Sequence, residues 1–129
     1  MFNLILTSKQ SGLIQCHIYD YCNWMLTKSK FSEYDTSTWD EYDIIRASIY
    51  YKERRLSKNR SIIKGLSEKE LKFISSEIQH WVVYKTTDPW GEDDNDRQDK
   101  RIAKNLVNKI NQIFDKSIQR NLKLSQIGI

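Results

Sequence analysis

Apolar residues recur at steps of three and four in four stretches of this chain, with polar runs between them. Ile14, Ile18, Tyr21, Cys22 and Met25 define the first. Tyr42, Ile45 and Ile49 define the second, and Leu71, Ile74, Ile78, Trp81 and Val82 the third. The fourth carries Ile102, Leu106, Ile110, Ile113 and Phe114, with Ser117 on the same face. This spacing puts each set on one side of an α-helix. At the N-terminus the pattern changes, because Phe2, Leu4 and Leu6 alternate. A short strand over residues 2–6 is the competing expectation there.

Helix starts fall where the patterns begin. Thr7-Ser8-Lys9-Gln10 has the Thr-x-x-Gln spacing in which each side chain bonds the other residue's backbone N–H. Thr38-Trp39-Asp40-Glu41 repeats it for a second helix, expected to run to about Leu56. Ser67 with Glu70 is the clearest case, because Leu66 and Leu71 flank it at the positions of a hydrophobic staple. Asp88-Pro89-Trp90-Gly91 reads as a type I turn that stops the third helix. The fourth is expected from about Asp96 to Leu122, a length of about 40 Å at 1.5 Å per residue. Residues 27–37, rich in Ser and Thr, read as a loop anchored by Phe31 and Tyr34. Four Gly and one Pro in 129 residues leave few other breaks. The expected fold is all-α: a small single-domain bundle of three to four helices with a short extended N-terminal segment.

Composition narrows the setting. Hydrophobic residues make up 39% of the chain, enough for a folded core, and no apolar run reaches the length of a membrane span. Residues 1–6 are too short for a signal-peptide core, and a cytoplasmic location is expected. Cys16 and Cys22 lie on nearly opposite sides of one helix, so no disulfide within it and no zinc site is expected. Ile, Lys, Asn and Tyr are abundant while Ala, Gly and Pro are scarce. That bias follows AT-rich codons and points to a low-GC bacterium, its phage or a plasmid, and so to a factor of a phage or mobile element.

The net charge of +4 hides four blocks of alternating sign. Glu33, Asp35, Asp40, Glu41 and Asp43 form the first, and Lys52, Arg54, Arg55, Lys58, Arg60 and Lys64 against Glu53 the second. Asp88, Glu92, Asp93, Asp94, Asp96 and Asp99 against Arg97 form the third, and a basic run over residues 100–123 the fourth. Basic helical stretches can meet a phosphate backbone and release its counterions. The candidate residues are Arg54, Arg55, Lys58, Arg60, Arg101 and Lys104, with Tyr50 and Tyr51 beside the first pair for stacking on bases. Arg97, Arg101, Lys104 and Asn108 share the outer face of the fourth helix. The acidic strip Glu92, Asp93, Asp94 and Asp96, next to Trp90, offers the opposite surface, one that could compete for a phosphate-binding groove on a protein.

Catalytic chemistry is thin. His17 and Asp20 stand at i and i+3 with no third member nearby, and His80 falls at the expected core edge of the third helix. The acidic loop lacks the Gly and the terminal Glu of an EF-hand. No phosphate-loop, dinucleotide or nucleophile-elbow motif occurs. No cofactor, metal or catalytic residue is therefore expected. The favoured expectation is a non-catalytic accessory or inhibitory factor that docks on a nucleic-acid-handling protein through Trp90, Glu92, Asp93, Asp94 and Asp96. Direct nucleic-acid binding by the basic residues is the alternative, a nuclease or hydrolase built on His17 and Asp20 is third, and a homodimer is open in either of the first two.

Overall fold

The computed structural model describes residues 1–20, 40–86 and 94–126. It corrects the all-α expectation: among the described residues four helices combine with a three-stranded antiparallel sheet, so the class is α+β. Strand β1 (Phe2–Thr7) leads into helix α1 (Ser8–Ile14), which continues as a π-helical turn, Gln15–Tyr19. Helix α2 (Glu41–Lys52) runs straight into strand β2 (Glu53–Ser57), which turns back as β3 (Arg60–Leu66). Helices α3 (Glu68–Thr86) and α4 (Asp94–Gln126) follow.

The sheet order is β1-β3-β2, so β3 is central. Leu4 faces Ile63 and Leu6 faces Ser61 across the β1–β3 ladder, while Glu53 pairs with Ile63 and Arg55 with Ser61 on the other side. The N-terminal alternation is thus that of a strand: Leu4 and Leu6 are fully buried while Asn3, Ile5 and Thr7 face outward. The expected continuation of α2 to Leu56 fails after Lys52, where Glu53 takes extended backbone, φ −75° and ψ 135°. Arg54 secures this exit, its guanidinium donating to the carbonyls of Tyr51 (2.7 Å) and Glu53 (2.8 Å), the first of which the ending helix leaves without a partner.

The hairpin closes through Lys58 and Asn59 alone. Two-residue hairpin turns usually need positive φ, but no described non-glycine residue has it, and the ladder slips register between Arg55 and Ser57. At the other end of β3, Gly65 has φ +70°, a conformation that favours glycine. The ladder is irregular there too, between Phe2 and Leu4, and the Gly65 N–H donates to the Asn3 side chain at 3.1 Å.

Helix starts follow their local chemistry. Thr7 and Gln10 cap α1 reciprocally, at 3.2 and 3.0 Å. The α2 cap is Asp40 with Asp43, two residues later than the Thr38 expected, which lies outside the described residues. At α3, Ser67 and Glu70 exchange bonds at 2.9 and 3.1 Å, and both staple residues, Leu66 and Leu71, are fully buried. Helix α4 is longer than expected, 33 residues or about 50 Å.

The core lies between the sheet's inner face and the helices. Leu4, Leu6, Ile14, Ile18, Ile49, Ile63, Leu66, Leu71, Ile74, Ile78, Leu106 and Ile110 are its fully enclosed large side chains. Tyr42, expected inside, is 58% exposed and stacks on Phe73, leaving Ala47 and Ile49 as the buried residues of α2. His80, expected at the core edge, is exposed. Among the described residues no helix is long and apolar enough to cross a membrane.

One carboxylate ties several elements together. Glu70 is 6% exposed. It accepts from Lys52 (2.6 Å) and Ser48 (2.7 Å) of α2, as well as from the Ser67 backbone. Burial alone would raise its pKa, but these donors, Lys52 foremost, outweigh it and bring it down to about 2. Because the folded-state pKa is lowered, the stabilisation is present above pH 4.5 and is lost as the pH falls towards about 2. Glu70→Gln is therefore expected to lower stability by about 1–3 kcal/mol at pH 7. The gap to wild type in urea unfolding should narrow steadily below pH 4.5. A gap independent of pH would show that the carboxylate's charge does not carry the effect.

Candidate functional site

A polar cleft of about 350 Å³ lies where the hairpin meets α1. Ser8, Ser11, Gly12 and Gln15 of α1 form one wall. The other is built from Glu53, Arg55 and Ser57 of β2, the turn residues Lys58 and Asn59, and Arg60 and Ser61 of β3. A Cβ placed on Gly12 would meet nothing within 4 Å, so this flank of the helix stays open.

Strand parity explains which charges meet here. Glu53 and Arg55 share one face of β2 and Arg54 takes the other, because side chains alternate along a strand. The turn then brings Lys58 and Arg60 to the same cleft as Arg55. Arg55 is held along the turn, its Nε donating to the Ser57 carbonyl at 3.2 Å and Nη2 to that of Lys58 at 3.5 Å. Its remaining N–H groups make no hydrogen bond to another described residue.

Glu53 is the acid among these cations. Its Oε1 accepts from the hydroxyls of Ser11 (3.3 Å) and Ser61 (3.4 Å), and no described residue donates to Oε2. Burial raises its pKa above the ordinary carboxyl value, and the two serine hydroxyls pull it back only in part. Near the cleft, Lys109 of α4 crosses to β1, donating to the Ile5 carbonyl (2.8 Å) and to Gln10 Oε1 (2.9 Å). Burial lowers its pKa, and the neighbouring charge of Arg60 lowers it further.

The expected basic set is therefore divided. Arg55, Lys58 and Arg60 converge, Arg54 lies on the opposite side of the strand, and Arg101 and Lys104 are exposed on α4. Arg97, Arg101, Lys104 and Asn108 do line an exposed face of that helix. Of the expected acidic surface, Trp90, Glu92 and Asp93 lie outside the described residues. Asp94 opens α4, and Asp96 is half-buried in its first turn. Sequence spacing did not point to Glu53, Ser11 or Ser61, because they meet only where the hairpin packs against α1.

His17 sits elsewhere, in a smaller cleft of about 240 Å³ with Glu77, His80, Trp81 and Tyr84. The π turn points it at α3, where its ring lies 4.8 Å from that of Trp81. Burial lowers its pKa against the opposing pull of Asp99, Asp20 and Glu77. Asp20 is exposed at the end of the turn. A half-buried imidazole against an indole is the arrangement of a packing residue. Among the described residues no group of three or more His, Cys, Asp or Glu side chains is placed to hold a metal ion.

The raised pKa of Glu53 has the opposite consequence to that of Glu70. Its contribution to stability is complete below pH 4.5 and is lost as the pH rises through the raised value. Glu53→Gln should therefore match or exceed wild type in thermal melts at pH 8, with the difference closing below pH 4.5. Lower stability of the variant at pH 8 would contradict this. No protein-family model, curated protein or solved structure matches the chain.

Proposed function

We propose that this is a non-catalytic binding protein that engages the phosphates of a nucleic acid through its basic hairpin. One observation carries the reading. Arg54, Arg55, Lys58, Arg60 and Lys64 all belong to the hairpin, and none forms an ion pair among the described residues. Lys52, one step before the hairpin, is instead bound to Glu70. Cations left exposed in this way are available to displace the counterions of a polyanion. Lys109 beside Arg60 adds to the same field. The setting that fits is intracellular, with the protein acting as a small accessory factor of nucleic-acid metabolism.

Docking on a partner protein through Trp90, Glu92, Asp93, Asp94 and Asp96 ranks second, since the fold supports it only through the position of Asp94 and Asp96 at the start of α4.

Labelled single-stranded and duplex oligonucleotides are expected to bind at low salt, with an affinity that falls linearly with salt on a log–log scale. Arg55→Glu combined with Arg60→Glu should weaken binding at least tenfold and flatten that slope by about 0.7 per lost contact on single strands. Unchanged affinity and slope would remove the hairpin as the contact. If Asp93→Lys with Asp94→Lys instead abolished capture of a protein partner while leaving nucleic-acid binding intact, the second reading would take its place.

A further inference from the structure

The hairpin cleft carries more than positive charge. A site for phosphate alone would not place a carboxylate among its cations, because Glu53 repels an anion. What fits both is a ligand with an anionic end and an N–H donor edge, as a nucleotide has. The volume, about 350 Å³, is on the scale of one nucleotide. Its concave shape requires a base that leaves the stack, which a single strand provides at least cost.

The bases differ in what they offer Glu53. Cytosine presents an amino group beside two acceptors, N3 and O2, and carboxylates pair with that amino group. The cleft holds the complementary groups: Glu53 supplies an acceptor, and Gln15, Asn59 and Arg55, which carry N–H donors, also line it. Thymine places a carbonyl oxygen where cytosine has its amino group, so its edge would set oxygen against oxygen. The serine bonds to Oε1 matter here, because they fix the carboxylate and leave the other oxygen as its open acceptor.

We propose that this cleft reads a cytosine nucleotide of a bound single strand, Glu53 Oε2 accepting from the cytosine amino group while Arg55, Lys58 and Arg60 hold the neighbouring phosphate. The proposal rests on nucleic-acid binding by the hairpin and adds a base preference to it. Glu53 sets which strand is preferred, and the cations set how tightly any strand is held.

Fluorescence anisotropy on the full chain at pH 8 and low salt tests it, with three labelled 12-mers: oligo(dC), oligo(dT) and an oligo(dC) whose amino groups are dimethylated. Wild type should bind oligo(dC) about tenfold more tightly than oligo(dT), the scale of one hydrogen bond to a charged group. The dimethylated strand should bind like oligo(dT), a comparison made entirely on the unaltered protein. Glu53→Gln should lose the preference, holding oligo(dC) and oligo(dT) with equal affinity, each at least as tightly as wild type holds oligo(dT). Equal wild-type affinity for all three strands would overturn base reading while leaving phosphate binding in place. A preference that survives dimethylation, or survives Glu53→Gln, would also overturn it. No binding of any strand would remove both readings together.

Discussion

The carboxylate of Glu70 is the constraint on which the other elements depend. It closes the first turn of α3 through the Ser67 backbone and holds the last turn of α2 through Ser48 and Lys52. Lys52 is the last helical residue and Glu53 the first of the strand. Fixing Lys52 therefore fixes where the helix gives way to the hairpin, and so where Glu53 enters the cleft. A nearly enclosed charge is costly unless it is paired and hydrogen-bonded. Here three donors meet one carboxylate, two from α2 and one from the segment that joins the hairpin to α3.

The two glutamates differ in how far their charge is satisfied. Glu70 has its donors in place and its charge is stabilised; Glu53 has two weak donors on one oxygen and its charge is disfavoured. A satisfied carboxylate adds rigidity, whereas an incompletely satisfied one is the group a ligand can complete. Arg54 and Arg55 differ in a similar way. The first is spent on the carbonyls at the exit of α2, while the second lines the cleft with donors to spare.

What could be read from the sequence was local. The Thr7–Gln10 and Ser67–Glu70 caps, the Leu66–Leu71 staple and the inner stripe of α4 all use partners three to five residues apart or a single repeating period, so the chain displays them directly. The alternation of Phe2, Leu4 and Leu6 was also visible, but a strand needs a partner, and its partner was missed. Glu53-Arg54-Arg55-Leu56-Ser57 has no apolar alternation because β2 is an edge strand on which only Glu53 is partly buried. Ile62 and Ile63 are adjacent and both buried, which hides the period of two. The turn between them lacks the glycine that usually announces a hairpin. The charges of the site were legible as a block, but the division between Arg54 and Arg55 follows from strand parity, and the serines around Glu53 come from elements far apart in the chain.

The pairing of β1 with β3 also bears on how the protein is made. Thr7 meets Arg60 and Phe2 meets Leu66, so the first strand waits for its partner while roughly sixty further residues are added. At about 5–20 residues per second this is a delay of roughly 3–12 s. The α1 cap uses only neighbouring residues and can form at once, but Leu4 and Leu6 have no sheet to join until β3 has been synthesised. For those seconds on the ribosome the segment is an unpaired apolar strand, open to a chaperone or to another nascent chain, and the final fold begins to close only when its central strand arrives.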